Sequence, residues 1–394
     1  MPHEVTGFLF PNDVHISWSL MIVMYPYVTG LVAGAFIVSS LYHVFGREDL
    51  KPVGRLALAS SFCFLAVATL PLLNHLGHPE RGPMVVVTPN FSSAMAGFGL
   101  LYASYFIVVL LEIWFVFRAD IIRAAISSRG LKRQMYKILA LGVYDLSPQA
   151  LEIDHKITRV LAAIGIPMAC LLHGYVGFLF GALKANPWWS TPLMPVIFLF
   201  SAVVSGIALL IVLYQVAMKL KGDPIDARCI AALSRWLWLF MIFSLTLEVL
   251  EIMTLAYENA EEWEVIGPLL ANQLSISFIS FQMVLGGLIP LILLMIVVIM
   301  DRHMSDPIRN TLAMVASLLL LLQVLSMRWN VVIGGQMFSK SMRGYRETYV
   351  PGMFEKEGIL AAIVIFLIPF VLLVIFNKVL PVFDDEADGE AAAA

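Results

Sequence analysis

Nine runs of about twenty or more mainly apolar residues dominate this chain, near positions 17–42, 53–74, 94–117, 157–183, 191–218, 233–257, 273–300, 308–328 and 358–380. Coiled as a helix rising ~1.5 Å per residue, each run matches the ~30 Å hydrocarbon layer of a bilayer. Nothing in that layer can satisfy a free backbone N–H or C=O, so helices are the form such runs must take. The expected fold is an all-α polytopic membrane protein of nine spans: two four-helix bundles plus a C-terminal helix. A tenth crossing requires that 124–148 or 330–357 enter the membrane. Pro26, Pro167 and Pro290 fall inside spans and are expected to kink them.

Composition removes most alternatives. Hydrophobic residues make up 60% of the 394 and charged ones 13%, with a net charge of −3. Soluble domains carry about twice that charge, and a phosphate backbone needs a basic field that is missing here. A soluble enzyme, a disordered scaffold and a nucleic-acid binder are excluded. Cys63, Cys170 and Cys229 are widely separated and match no metal-ligand, iron–sulfur or disulfide spacing.

Lys and Arg placement sets the direction of insertion. With the N-terminus outside, the inner loops hold seventeen basic residues, and the outer segments before position 328 hold two, Arg81 and Lys184. Only 328–357, with five on the nominal outside, cuts against this. Its run from Arg328 to Gln336 is expected to be a packed loop. The expectation is a cytoplasmic-membrane protein with its N-terminus outside and C-terminus in the cytoplasm. The first sixteen residues contain no Lys or Arg and no cleavage site, so the first span is expected to be retained rather than cleaved as a signal peptide. Residues 1–330 form the expected membrane core. Residues 331–394 add an outer loop, a further span and an acidic tail. The basic 118–156 stretch, amphipathic around Lys132–Leu141, suits a helix on the membrane surface. Trp188, Trp189 and Trp263 suit an outer aromatic belt.

Polar residues in or beside hydrocarbon each ask for a reason. At the outer leaflet, Asn12 and His15 lie three apart before the first span, on one side of a helix. The second span exits through Asn74-His75 to Arg81 and on to Pro89-Asn90-Phe91-Ser92. The fourth carries His173 and Tyr175 outward. Any one of these residues serves equally well as a cap or interface side chain. Their joint placement suits a site for a polar-headed, lipid-tailed ligand. Within the membrane lie Glu112, His173, Glu248 and Glu251, the last two on one face at i,i+3. Protonatable groups at that depth are the material of a proton path or, equally, neutral structural hydrogen-bonders. Glu112 also lies close enough to the inner end to snorkel beside Arg118. His173 has no second His at matched depth, so bis-His haem is not expected. The chain is expected to hold no haem, no iron–sulfur cluster and no metal of its own.

These segments resemble the NrfD/PsrC family, the membrane subunits of polysulfide reductase and related complexes. The likeness rests on the Asn12-x-x-His15 entrance, the His75-Leu-Gly-His-Pro-Glu-Arg81 loop with Pro89-Asn90-Phe91-Ser92, and Arg328-Trp-Asn-Val-Val-Ile-Gly-Gly-Gln336. It covers about residues 10–335. Within the family, the stretch from His173 to Pro195 and the ninth span look most like the DsrP branch, which belongs to the DsrMKJOP complexes of sulfur metabolism. The resemblance implies a quinone-binding subunit, with menaquinone as its cofactor. It also implies a ferredoxin-like iron–sulfur partner on the outer face, together with a multihaem cytochrome and further redox subunits. By motif the quinone contacts fall on Asn12, His15 and Tyr175, with His75 nearby. Where relatives sometimes carry Asp near the end of the second span, this chain has Asn74-His75. His15 would relay a proton, Arg81 would stabilise the developing oxyanion, and Glu112, His173, Glu248 and Glu251 would form the proton path. A proton-coupled transporter and a passive membrane anchor are the alternatives.

Overall fold

The computed structural model describes residues 15–258, 261–339, 342 and 344–383. Asn12 and the acidic tail lie outside the described residues. Among those described, nine helices are long and apolar enough to cross a membrane: α1 Leu20–His43, α2 Glu48–His75, α3 Ala94–Ser127, α4 Pro148–Gly181, α5 Met194–Lys221, α6 Ala227–Glu258, α7 Ser275–Ile299, α8 Asp306–Met337 and α9 Ile359–Val379.

Their ends follow the local chemistry. The Ser19 hydroxyl accepts from the Met21 N–H and starts α1. Ser147 does the same for Ala150, ahead of Pro148 at the first position of α4. Gly222, at φ 80°, ends α5 in the left-handed region. Helices α3 and α4 run on past the expected boundaries. At 34 residues each they reach roughly 51 Å, well beyond the hydrocarbon layer. Their projecting ends are clamped together by the Arg118 guanidinium, which donates from Nε to both Asp154 oxygens at 2.8 and 2.7 Å.

Helices α1 to α4 pack as one bundle and α5 to α8 as a second, with α9 against α2 and α1. The central member is α1: 94% of its apolar window is buried, against 17% for α9. Lipid is as apolar as a leucine side chain, so helices associate here through close packing and polar contacts. The seam between bundles shows the first of these. A Cβ on Gly34 of α1 would fall 2.7 Å from the Gly206 Cα of α5, so only glycine permits this crossing.

Several expectations are corrected. The 124–148 stretch contains only a ten-residue helix, Gly130–Leu139, about 15 Å long and too short to cross. It is amphipathic as expected, but it is also pinned to the protein: Tyr136 donates to the Val379 carbonyl at 2.5 Å, and Trp114 donates to Leu139 O. The run 328–336 is not a loop. It continues α8 through a wider π-type turn over Asn330–Gly334. Trp188 and Trp189 are buried rather than interfacial. Helices α1 and α4 continue through Pro26 and Pro167. At Pro290 the winding of α7 changes instead, from π turns over Ser275–Leu288 to α from Ile289.

Candidate functional site

At the end where α1 begins, the segment 345–358 forms a strap across α1 and α2. The Glu357 carboxylate accepts from the Ser19 hydroxyl and lies 2.7 Å from His75 Nδ1. The Leu20 N–H donates to the Tyr349 hydroxyl at 3.0 Å. Asn74 donates to Lys356 O at 2.7 Å, and the Lys356 ammonium returns to Leu76 O. Farther out, His15 Nδ1 pairs with Glu347 at 3.1 Å, both side chains being well exposed. His15 and His75, expected to share a site, are therefore each held by a carboxylate of one strap. That segment supplied no site residue to the sequence reading.

Beside this strap lies a cavity of about 270 Å³ walled by Trp18, Trp189, Gln336, Phe338 and Arg346. Trp18 and Trp189 stack at 5.1 Å with their planes 7° apart. Gln336 is spent on structure, accepting from Trp18 N at 3.0 Å and donating to Val332 O at 2.8 Å. The Arg346 Nε is buried without a hydrogen-bond partner among the described residues. Its signal was present in the sequence as the excess of basic residues on the nominal outside. Arg328, from the same excess, is fully buried in the protein interior, where it carries no topological information.

Two expected members stand apart. Arg81 is exposed on the loop beyond α2. Tyr175 donates to Ala94 O at 2.8 Å, turning toward the start of α3 rather than toward His15 and His75.

Inside the bundles a second polar group forms. Arg328 Nη2 on α8 donates to Ser201 Oγ at 2.7 Å and lies 3.2 Å from His173 Nε2. Its guanidinium carbon sits 3.8 Å from the Phe198 ring centroid. Nearby, Glu248 accepts from Ser244 at 3.2 Å, Gln282 at 2.8 Å and Gln323 at 3.1 Å. Asn330 donates to Gln282 Oε1 at 2.7 Å and accepts from Ser277 at 2.6 Å. A Cβ on Gly286 would collide with the Gln323 Cβ, so glycine lets α7 and α8 approach closely enough for the amides to meet. Glu251 joins Glu248 in a small cleft with Trp188 and Asn330, one of its oxygens without a hydrogen-bond partner among the described residues. Glu248, Glu251, Arg328 and His173 thus share one region at the seam and in the second bundle. Gln282, Gln323 and Asn330 carry no charge and so do not stand out beside the ionisable residues, although uncharged amides in an apolar span carry the same signal.

Glu112 is elsewhere, on α3 in the first bundle. It is fully buried, and neither oxygen has a hydrogen-bond partner among the described residues. Arg118, its expected neighbour at the inner end, is committed to Asp154. Glu112 does not snorkel.

A family model described as polysulphide reductase, NrfD, matches residues 11–340. A selenate reductase subunit of Mesobacillus selenatarsenatis is 36% identical over 60% of this chain and 56% of its own length. A polysulfide reductase polypeptide of Wolinella succinogenes is 25% identical over 53% of this chain and 62% of its own. The Hdr-like menaquinol oxidoreductase integral membrane subunit of Archaeoglobus fulgidus is 21% identical over 91% and 83%. The first and second of these are matched over little more than half of their length. With the family model covering most of its length, this multi-pass membrane chain belongs to the NrfD family.

Proposed function

We propose that this chain is the quinone-interacting membrane subunit of a multi-subunit oxidoreductase, exchanging electrons between menaquinol and an iron–sulfur subunit at the end where α1 begins. The observation that carries the reading is the aromatic cavity beside His15, His75 and the Glu347–Glu357 strap. At about 270 Å³ it lies just below the usual ~300–1,000 Å³ of small-molecule sites. Flat indole faces and one buried guanidinium N–H with no partner among the described residues suit a planar ring bearing carbonyl oxygens. The relatives' names, among them a menaquinol oxidoreductase subunit, support the ligand class.

Menaquinone, when bound, supplies two-electron, two-proton chemistry. Trp18 and Trp189, stacked on each other, would form the aromatic wall that orients the ring. Arg346 donates toward a ring oxygen. His15 exchanges a proton, with Glu347 holding its imidazole, and Asn12 supplies a further hydrogen bond. His75 is held by Glu357 at the rim, and Tyr175 and Arg81 act at the periphery. Phe91 and Phe354, 84% and 85% exposed at the same end, offer apolar surface to the partner. The second-bundle group of Glu248, Glu251 and His173 carries protons, and Glu112 serves the first bundle.

The orientation, N-terminus outside the cytoplasmic membrane, is supported by the basic-residue bias. It gains from Arg328 being a core residue rather than a loop charge. The likeness to the DsrP branch supports service to sulfur-compound metabolism with a multihaem cytochrome among the partners. Quinol oxidation by the purified complex carrying His15→Ala tests the site. Unchanged turnover and quinone affinity would remove His15 from it.

The Glu248–Gln282–Gln323 network favours a second reading, a proton-coupled transporter. That reading requires flux in vesicles without any redox partner, abolished by Glu248→Gln.

A further inference from the structure

At the opposite end of the first bundle lies a cavity larger than the one beside Trp18, about 440 Å³ in volume. It opens where α1 ends and α2 begins, between them and the extended parts of α3 and α4. Four of its lining residues are cations: Lys51, Arg55, Arg123 and Arg159. Two are acids, Glu48 and Asp154, and both Asp154 oxygens are already taken by Arg118. Arg55 and Arg123 share Asp120. Lys51 and Arg159 have no ion-pair partner among the described residues, and His43 Nε2 is buried there without a hydrogen bond. Among the described residues the positive charge of this cavity is therefore incompletely neutralised.

The rest of the lining is apolar. Phe115, Val116 and Ala119 of α3 form one wall. Toward the membrane the same flank continues with Leu111, exposed, and Val108, half-buried. A basic mouth at the depth where spans end, continuous with an apolar helix flank, has the shape and polarity of one lipid molecule. A small soluble anion would use the mouth and leave the flank unexplained.

We propose that this cavity holds the phosphate headgroup of an anionic glycerophospholipid, with Lys51 and Arg159 as its principal counter-charges and acyl chains along α3. Arg55 and Arg123 line the same mouth while remaining tied to Asp120. Bound there, the lipid bridges α2 and α4 and fixes the projecting ends of α3 and α4. The site is separate from the proposed quinone cavity and does not depend on that reading.

Native mass spectrometry of the full chain in detergent, titrated with phosphatidylglycerol, phosphatidylcholine or inorganic phosphate, tests this. One phosphatidylglycerol is expected to stay bound in preference to phosphatidylcholine. The double variant Lys51→Gln, Arg159→Gln should weaken it about thirty-fold, the worth of two basic residues near a membrane surface. Lys51→Arg with Arg159→Lys should retain it. Both positions are exposed, so without added lipid unchanged helical content and thermal unfolding are expected alongside. Equal retention by the neutralised variant, no preference over phosphatidylcholine, or displacement by millimolar inorganic phosphate would each overturn the assignment to a lipid.

Discussion

Arg328 Nη2 on α8 lies 3.2 Å from His173 Nε2 on α4, joining the two bundles across their seam. A cation this deep has its Nη2 answered by Ser201 and His173 and its face by Phe198, while its Nε is buried with no hydrogen-bond partner among the described residues. Arg328→Ala is expected to cost about 3–5 kcal/mol, the usual result of truncating a large, fully buried side chain and leaving a cavity. Arg328→Lys keeps the charge but not the planar fork, so a smaller loss is expected. Thermal unfolding in detergent checks both. An Arg328→Ala protein that melts with the wild type would show that the contact holds nothing together.

Glu248 is surrounded by donors from α6, α7 and α8, whereas Glu112 has none among the described residues. Glu248→Gln keeps the size of the side chain but removes the exchangeable carboxyl proton. In proteoliposomes containing the complex, it is expected to lower proton movement at least ten-fold while quinol-linked electron transfer continues (about 1.4 kcal/mol or more on the proton step). A pH-sensitive dye on one side of the membrane reads the first, and absorbance of the quinone the second. Proton movement at the wild-type rate in Glu248→Gln would take Glu248 out of the path.

The strap carries a pH dependence of its own. Partial burial pushes the Glu357 carboxyl up, but hydrogen bonds from His75 and Ser19, with the His75 and Lys356 charges, outweigh it and hold the group below its ordinary value. Such a carboxyl binds fewer protons folded than unfolded. Its contribution is therefore full above the ordinary carboxylate pKa of about 4.3 and fades as the pH falls through the depressed value. Glu357→Gln should raise hydrogen–deuterium exchange across residues 349–358 at neutral pH. The difference from wild type should shrink in strong acid. A difference that grows with acid would reverse the sign and remove Glu357 as the anchor.

How much of this was legible in the chain varies with the physics involved. Span number and position follow from hydrophobic runs alone, and among the described residues all nine appear where the runs are. The overextension of α3 and α4 was not legible, because it depends on Arg118 meeting Asp154, residues 36 positions apart. The strap was equally hidden: Glu347 and Glu357 look like ordinary loop acids until the fold returns them to His15 and His75. Glu248 was legible as a charge in an apolar run. Its setting was not, since Gln282 and Gln323 reach it only because Gly286 lets two helices touch.

The Gly34–Gly206 crossing bears on assembly of the whole chain. A Cβ on Gly206 would collide with the Gly34 Cα, a contact that only backbone movement relieves. Gly206→Val is expected to lower the unfolding temperature and the yield of folded protein sharply. Gly174→Ala is the control, since its nearest new contact is the Pro195 carbonyl at 3.9 Å. Fluorescence-detected size exclusion over a temperature ramp separates them. Equal melting of the two variants would mean that the bundles can shift apart at no cost.

Arg346 distinguishes a ligand cavity from a packing gap beside Trp18. If its guanidinium serves only to pack, Arg346→Met should fill the same volume and change neither quinol KM nor stability. If it donates to a ring oxygen, loss of a charge-assisted hydrogen bond worth about 1.5–3 kcal/mol should raise KM by roughly ten- to a hundred-fold. Arg346→Lys should recover part of that, because a charge remains without the forked geometry. Because Arg346 contributes to the wall rather than to the helix seam, the unfolding temperature should stay near that of the wild type. Steady-state quinol oxidation by the purified complex, run alongside a melt, reads both quantities. A wild-type KM in Arg346→Met with an unchanged melt would place the quinone somewhere other than between Trp18 and Arg346.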